Sequence, residues 1–227
     1  MPSRRSVLVA ILALGLLLPV ASRLPTAAQG YAQSPAPARK TSTPYTGDLS
    51  IFETPGRDER LQIDRVMDML AIIPGKTVAD IGAGSGWFSV RAARRVTETG
   101  TVFAVDINPE SIQYIDRRVQ DEHLHNIKTI LSHADDPMIP ANSLDSALLL
   151  KTYHEVANPI TLLTNLRKAL KPGARLGIID RNGNGEDHGV KKDVVIREAK
   201  QAGYQLLESA DFVKPDKVDY FLVFIRK

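Results

Sequence analysis

Val78-Ala79-Asp80-Ile81-Gly82-Ala83-Gly84-Ser85-Gly86 decides how the rest of the chain is read. The run 77–81 predicts a strand, and 87–96 carries the apolar spacing of a helix, so the glycines fall where a strand turns into a helix. Glycine there lets the backbone turn sharply and lets a ligand approach the main chain, because no Cβ stands in the way. A dinucleotide fingerprint, G-x-G-x-x-G, would need a third glycine at 87, where Trp87 stands. The chain instead sets an acid, Asp80, two residues ahead of the first glycine. The alternative to a ligand loop is a glycine-rich structural turn.

Outward from this segment, helical and strand patterns alternate, as in a parallel sheet covered by helices on both faces. Ile63, Val66, Met67 and Leu70 recur at helical spacing ahead of Pro74-Gly75. A second strand is expected over 101–107, then a helix opened by Pro109 with Ile112, Ile115 and Val119 turned inward. Strands over 128–132 and 146–150 follow. A helix over 159–170, closed by Lys171-Pro172-Gly173, leads to a fifth strand over 175–180. A last helix is read over 190–202, and final strands over 205–209 and 219–225, joined by a short loop containing Pro215, are expected to pair antiparallel at one edge. The fold class is therefore α/β, doubly wound, with seven mostly parallel strands and an antiparallel edge.

Asp106 ends the second strand 20 residues after Gly86, where such a sheet presents an acid to two ribose hydroxyls. An exposed loop aspartate unrelated to any ligand is the competing reading. His133-Ala134-Asp135-Asp136-Pro137 follows the third strand, and Lys151-Thr152-Tyr153-His154-Glu155 closes the fourth, where open sheets carry functional groups. Tyr153 and His154 are the candidate proton acceptors there, against the alternative of packing and a helix cap.

The acid-x-G-x-G-x-G pattern resembles motif I of the class I S-adenosylmethionine-dependent methyltransferases, and the resemblance runs from about residue 51 to about residue 224. It implies a Rossmann-like domain with S-adenosylmethionine across the ends of strands one, two and four. Asp80 would face the methionine end, with Gly82, Ala83, Gly84 and Gly86 packed against the cofactor. Asp106 and Ile107 would serve the ribose side. Many family members have an aspartate where this chain has His133, which leaves Asp135 or the Ala134 amide to serve adenine. The stretches 51–53 and 57–60 resemble an uncharacterised bacterial branch. Arg57 to Arg60 would form either part of a lid or a solvated helix start. The activity implied is methyl transfer to an acceptor, expected to be a small molecule. A catalytically silent S-adenosylmethionine-binding module and a nicotinamide-dependent oxidoreductase are the rival readings.

Composition bounds these readings. The 227 residues, 43% hydrophobic, suffice for one core. The absence of cysteine excludes disulfides and a thiolate metal site and argues against thiol-dependent arsenic methylation, and no metal site is expected. Residues 1–30 contain Arg4, Arg5 and Arg23 and no acid, so without them the formal charge of +3 falls to zero and no nucleic-acid partner is expected. A cationic start, an apolar run over 7–21 and small residues beyond it read as an export signal, with Arg4-Arg5 compatible with either the twin-arginine or the general secretory route. The expected location is therefore periplasmic, with membrane contact only through an uncleaved leader. Residues 31–50, rich in proline and small residues, read as a flexible linker, and 51–227 as the methyltransferase domain.

Overall fold

The computed structural model describes residues 39–184, 186–213 and 218–226. The export signal and residues 31–38 of the expected linker lie outside the described residues, as does the loop around Pro215. Among the described residues no helix is long and apolar enough to cross a membrane.

Two short helices, α1 (Arg57–Leu61) and α2 (Ile63–Met69), precede the sheet, followed by β1 (Thr77–Ile81), α3 (Trp87–Val96), β2 (Thr101–Asp106), α4 (Pro109–Asp121) and β3 (Ile127–Leu131). β4 (Leu144–Leu150), α5 (Pro159–Ala169), β5 (Leu170–Arg181), α6 (Lys192–Gln201), β6 (Tyr204–Ala210) and β7 (Asp219–Arg226) complete it. The sheet order is β3-β2-β1-β4-β5-β7-β6. The first five strands pair parallel, and β7 runs antiparallel to both β5 and β6, so the last two strands close one edge as an antiparallel pair with β6 outermost.

Period-two alternation assigns the layers. Val78, Val102 and Leu148 pack with Trp87, Phe88 and Val96 of α3 and Ile115 of α4. Ala79, Ile81 and Leu149 turn to the opposite face, against Leu163 and Leu166 of α5 and Val195 of α6. Strands buried on both sides are apolar without alternation, which is why β4 ends in the run Ala147-Leu148-Leu149-Leu150. The order reverses between β1 and β4, and a crevice opens beyond their carboxyl ends.

Three expectations change. α5 ends at Ala169 and β5 starts at once at Leu170, so Lys171-Pro172-Gly173 does not close a helix. It bulges out of the β4–β5 ladder instead, with Gly173 at φ +77°. α6 begins at Lys192 rather than at 190, because Val190 bridges Asn184 in the preceding loop.

The third change concerns residues 39–50, expected to be a flexible tether. They belong to the same compact unit as the sheet. The Arg39 guanidinium stacks 4.7 Å over the Tyr153 ring, donates to the Tyr153 carbonyl and pairs with Glu198 at 2.9 Å. Ser42 accepts from the His188 amide at 2.9 Å, and Leu49 is buried. Proline-rich composition removes periodicity from the sequence, yet a few side chains suffice to dock a short segment.

Candidate active site

The crevice encloses about 740 Å³ and is bounded by the β1–α3 loop, the ends of β2 and β4, and residues 44–57. Gly82 enters the loop at φ +73°, with its amide and that of Ala83 donating to the Val105 carbonyl at 2.8 and 3.0 Å. A Cβ there would stand 2.2 Å from the Thr152 side chain, so glycine is required by both conformation and space. Gly86, also at φ +73°, caps α3 and lets it pack against Ile115 of α4.

Asp80 and Asp106 stand on adjacent parallel strands. Asp80 is in register with Ala104, so Asp106 lies two residues further out, roughly 7 Å along the strand direction. Asp80 is 2% exposed and accepts from the Ser89 hydroxyl at 2.7 Å. Burial pushes its carboxyl up to about 6, against the pull of Ser89 and with a push from Asp106. Asp106 accepts from the Gly84 amide at 2.8 Å and the Asn108 amide at 2.9 Å, which fixes its head. Burial outweighs these amides and raises its pKa.

The loop is braced from outside. The Ser85 hydroxyl donates to Glu53 at 2.6 Å, and Arg118 of α4 holds both Glu53 and the Ser85 carbonyl. Two guanidinium groups stack on the Trp87 ring, Arg57 at 4.3 Å and Arg91 at 3.9 Å from its centre. Of the charged run 57–60 Arg57 alone lines the crevice, while Arg60 turns to the Pro55 carbonyl at the surface.

At the end of β4 the expectation for the catalytic pair is corrected. Lys151 takes φ +58°, and Tyr153–Glu155 form one 3-10 turn, whose residues project about 120° apart. Tyr153 therefore points into the core, where its hydroxyl donates to Glu198 at 2.7 Å. Burial and that carboxylate raise its pKa, the reverse of what a base would need. His154 turns behind the crevice to Asp180, which is fully buried, with Nδ1 at 2.9 and 3.2 Å from the two carboxylate oxygens. Glu155, the third side chain, lines the crevice beside Thr152 and Lys151. Its carboxyl is pushed up to about 7 by burial, with His154 opposing.

The structure thus brings Asp80, Gly82, Ala83, Gly84, Asp106, Ile107 and Ala134 together on one crevice. It leaves Gly86 and Asp135 off the lining. Gly86 serves the turn into α3, and the Asp135 carbonyl is held by the Asn165 side chain at 2.8 Å. Ser132 and His133 line the crevice alongside Ala134. Glu155, Thr152 and the wall formed by Tyr45, Leu49 and Phe52 were not singled out from sequence.

Comparison with known proteins gives the family and the fold. Residues 72–211 match the family described as Methyltransferase domain. The chain belongs to this family, the class I S-adenosylmethionine-dependent methyltransferases. A 2-phytyl-1,4-naphtoquinone methyltransferase of Trichormus variabilis is 32% identical over 108 residues, covering 47% of each chain. A demethylmenaquinone methyltransferase of Tropheryma whipplei is 33% identical over 113 residues, covering 49% of this chain and 44% of its own. The chain spans about half the length of these curated relatives. A SAM dependent methyltransferase from Aquifex aeolicus shares the fold, with a TM-score of 0.72 at 24% identity over 80% of this chain and 100% of its own.

Proposed function

We propose that the chain transfers the methyl group of S-adenosylmethionine to a small, largely apolar acceptor. The observation that carries this reading is the pair of carboxylates, Asp80 and Asp106, set on one crevice at either side of a loop that has no Cβ at Gly82 and Gly84. The donor set fits the cofactor. Asp80, buried and short of full compensation, suits the cationic amino-acid end, and Asp106, with its head fixed by two amides, suits a ribose diol. Ile107, Ala134 and His133 form the flank on which adenine would lie.

When bound, the sulfonium supplies a methyl carbon already activated for displacement. What the chain adds is alignment and the exclusion of water. Tyr45, Leu49, Phe52 and Leu162 make an apolar wall, and Glu155 is the one lining carboxylate among the described residues left for the acceptor once Asp80 and Asp106 are assigned. The quinone-directed names of the two relatives support a flat, oxygen-bearing acceptor of this kind. Incubating the chain with donor carrying a labelled methyl group and a panel of naphthols and hydroquinones tests the reading. Label is expected in an apolar acceptor, and donor binding without transfer to any acceptor would favour a silent binding module.

We also propose that residues 1–30 direct export. Their deletion should retain the protein in the cytoplasmic fraction, and unchanged export of the deleted form would refute that role.

A further inference from the structure

We propose that His154, Glu155 and His188 form a divalent-metal site of the zinc class beyond the end of β4, reaching the crevice through Glu155, with Asp180 orienting His154 from behind. The three potential ligand atoms lie within 4.8 Å of one another. A carboxylate only accepts, so the His154 Nδ1 beside both oxygens of Asp180 carries a proton, and Nε2 is the ring nitrogen left for a metal to bind in the neutral tautomer. That Nε2 faces Glu155 Oε1 at 3.8 Å, beyond hydrogen-bonding distance but suited to two ligands of one ion. The His188 ring stands edge-on to His154, with centroids 5.7 Å apart.

This is the arrangement in which metal-binding histidines are usually held, one ring nitrogen on the metal and the other donating to a carboxylate. His154 is rigid, since its backbone amide donates to the same Asp180 at 2.9 Å and its side chain is 5% exposed. His188 is exposed and sits in the loop between β5 and α6, where rotation of the ring can close the remaining distance to the roughly 2.0–2.2 Å bonds that zinc takes to nitrogen and oxygen. Two histidines and one glutamate leave a coordination position open, as in zinc sites that act on substrates. Glu155 lines the crevice, so one ligand of the site borders the acceptor space. An acceptor hydroxyl reaching the open position would be held beside the methyl donor and made more acidic. The inference about the acceptor rests on the methyl-transfer reading, whereas the metal site itself does not.

The test titrates the full chain, untagged and stripped with a chelator, with Zn²⁺ alone and with Co²⁺ as a spectroscopic probe. One equivalent should bind per chain, with the visible absorption of a low-coordinate Co²⁺ site. His188→Ala and Glu155→Gln should each lower affinity by about tenfold or more while leaving the circular dichroism spectrum and melting curve in place. No stoichiometric binding would overturn the proposal. So would equal binding by both variants, which would assign the metal to the surface histidines His123, His125 and His133. Calorimetry with S-adenosylhomocysteine on the same stripped chain separates the two readings. Retained cofactor binding without zinc binding removes the metal site alone, and zinc binding without cofactor binding removes the methyltransferase reading alone.

Discussion

Asp80 is caught between two demands. The core around it disfavours its charge, which is why its pKa rises to about 6, while its proposed role requires that charge to face a cation. An acid whose native pKa lies above its unfolded value makes the folded chain hold a proton that the unfolded chain releases. The cost of ionising Asp80 is therefore present above about pH 6 and is relieved as pH falls toward 4. Cofactor binding should show the opposite trend. Calorimetry between about pH 7.5 and about pH 5 is expected to show S-adenosylmethionine affinity falling below pH 6, roughly tenfold per pH unit once Asp80 is protonated, and falling more steeply than that of adenosine, which answers to Asp106 alone. A flat cofactor profile would detach Asp80 from the cationic end. Gly82 gives a structural counterpart. Gly82→Ala sets a methyl group against Thr152 at positive φ and should lower the melting temperature by an amount equivalent to about 1–3 kcal/mol, and an unchanged melt would contradict the packing described.

At the scale of elements, the segment 39–50 works as a wall of the crevice. Arg39→Ala removes a partly buried ion pair with Glu198 and the stack on Tyr153, with an expected loss of about 1.5–3 kcal/mol in denaturant unfolding. Stability indistinguishable from the parent would return the segment to the role of tether. The strand-turn-helix β1–α3 was legible in sequence to the residue, because Asp80, the glycines and the apolar run all point to one local structure. Asp106 was legible for the same reason, being fixed by strand length and spacing. The end of β4 was not. Residue type favours Tyr153 and His154 as proton acceptors over Glu155, but which one meets the crevice depends on a single 3-10 turn entered through a positive φ at Lys151. Nothing local marks that turn. Residues 39–50 were illegible because their docking depends on Glu198 and Tyr153, more than 100 positions away.

The sheet order places the ends of β1, β2 and β4 side by side, so that one proposed ligand spans them with its ribose at Asp106 and its amino-acid end at Asp80. The most direct measurement is a set of calorimetric titrations of S-adenosylhomocysteine and adenosine into the parent chain, Asp106→Ala and Asp80→Asn. Asp106→Ala should weaken both ligands by about 1.5–3 kcal/mol, since it removes the charged acceptor for two hydroxyls. Asp80→Asn should weaken S-adenosylhomocysteine alone and leave adenosine within error of the parent. Equal weakening of both ligands by Asp80→Asn, in a variant that still melts cooperatively, would contradict the placement of the cofactor along this sheet.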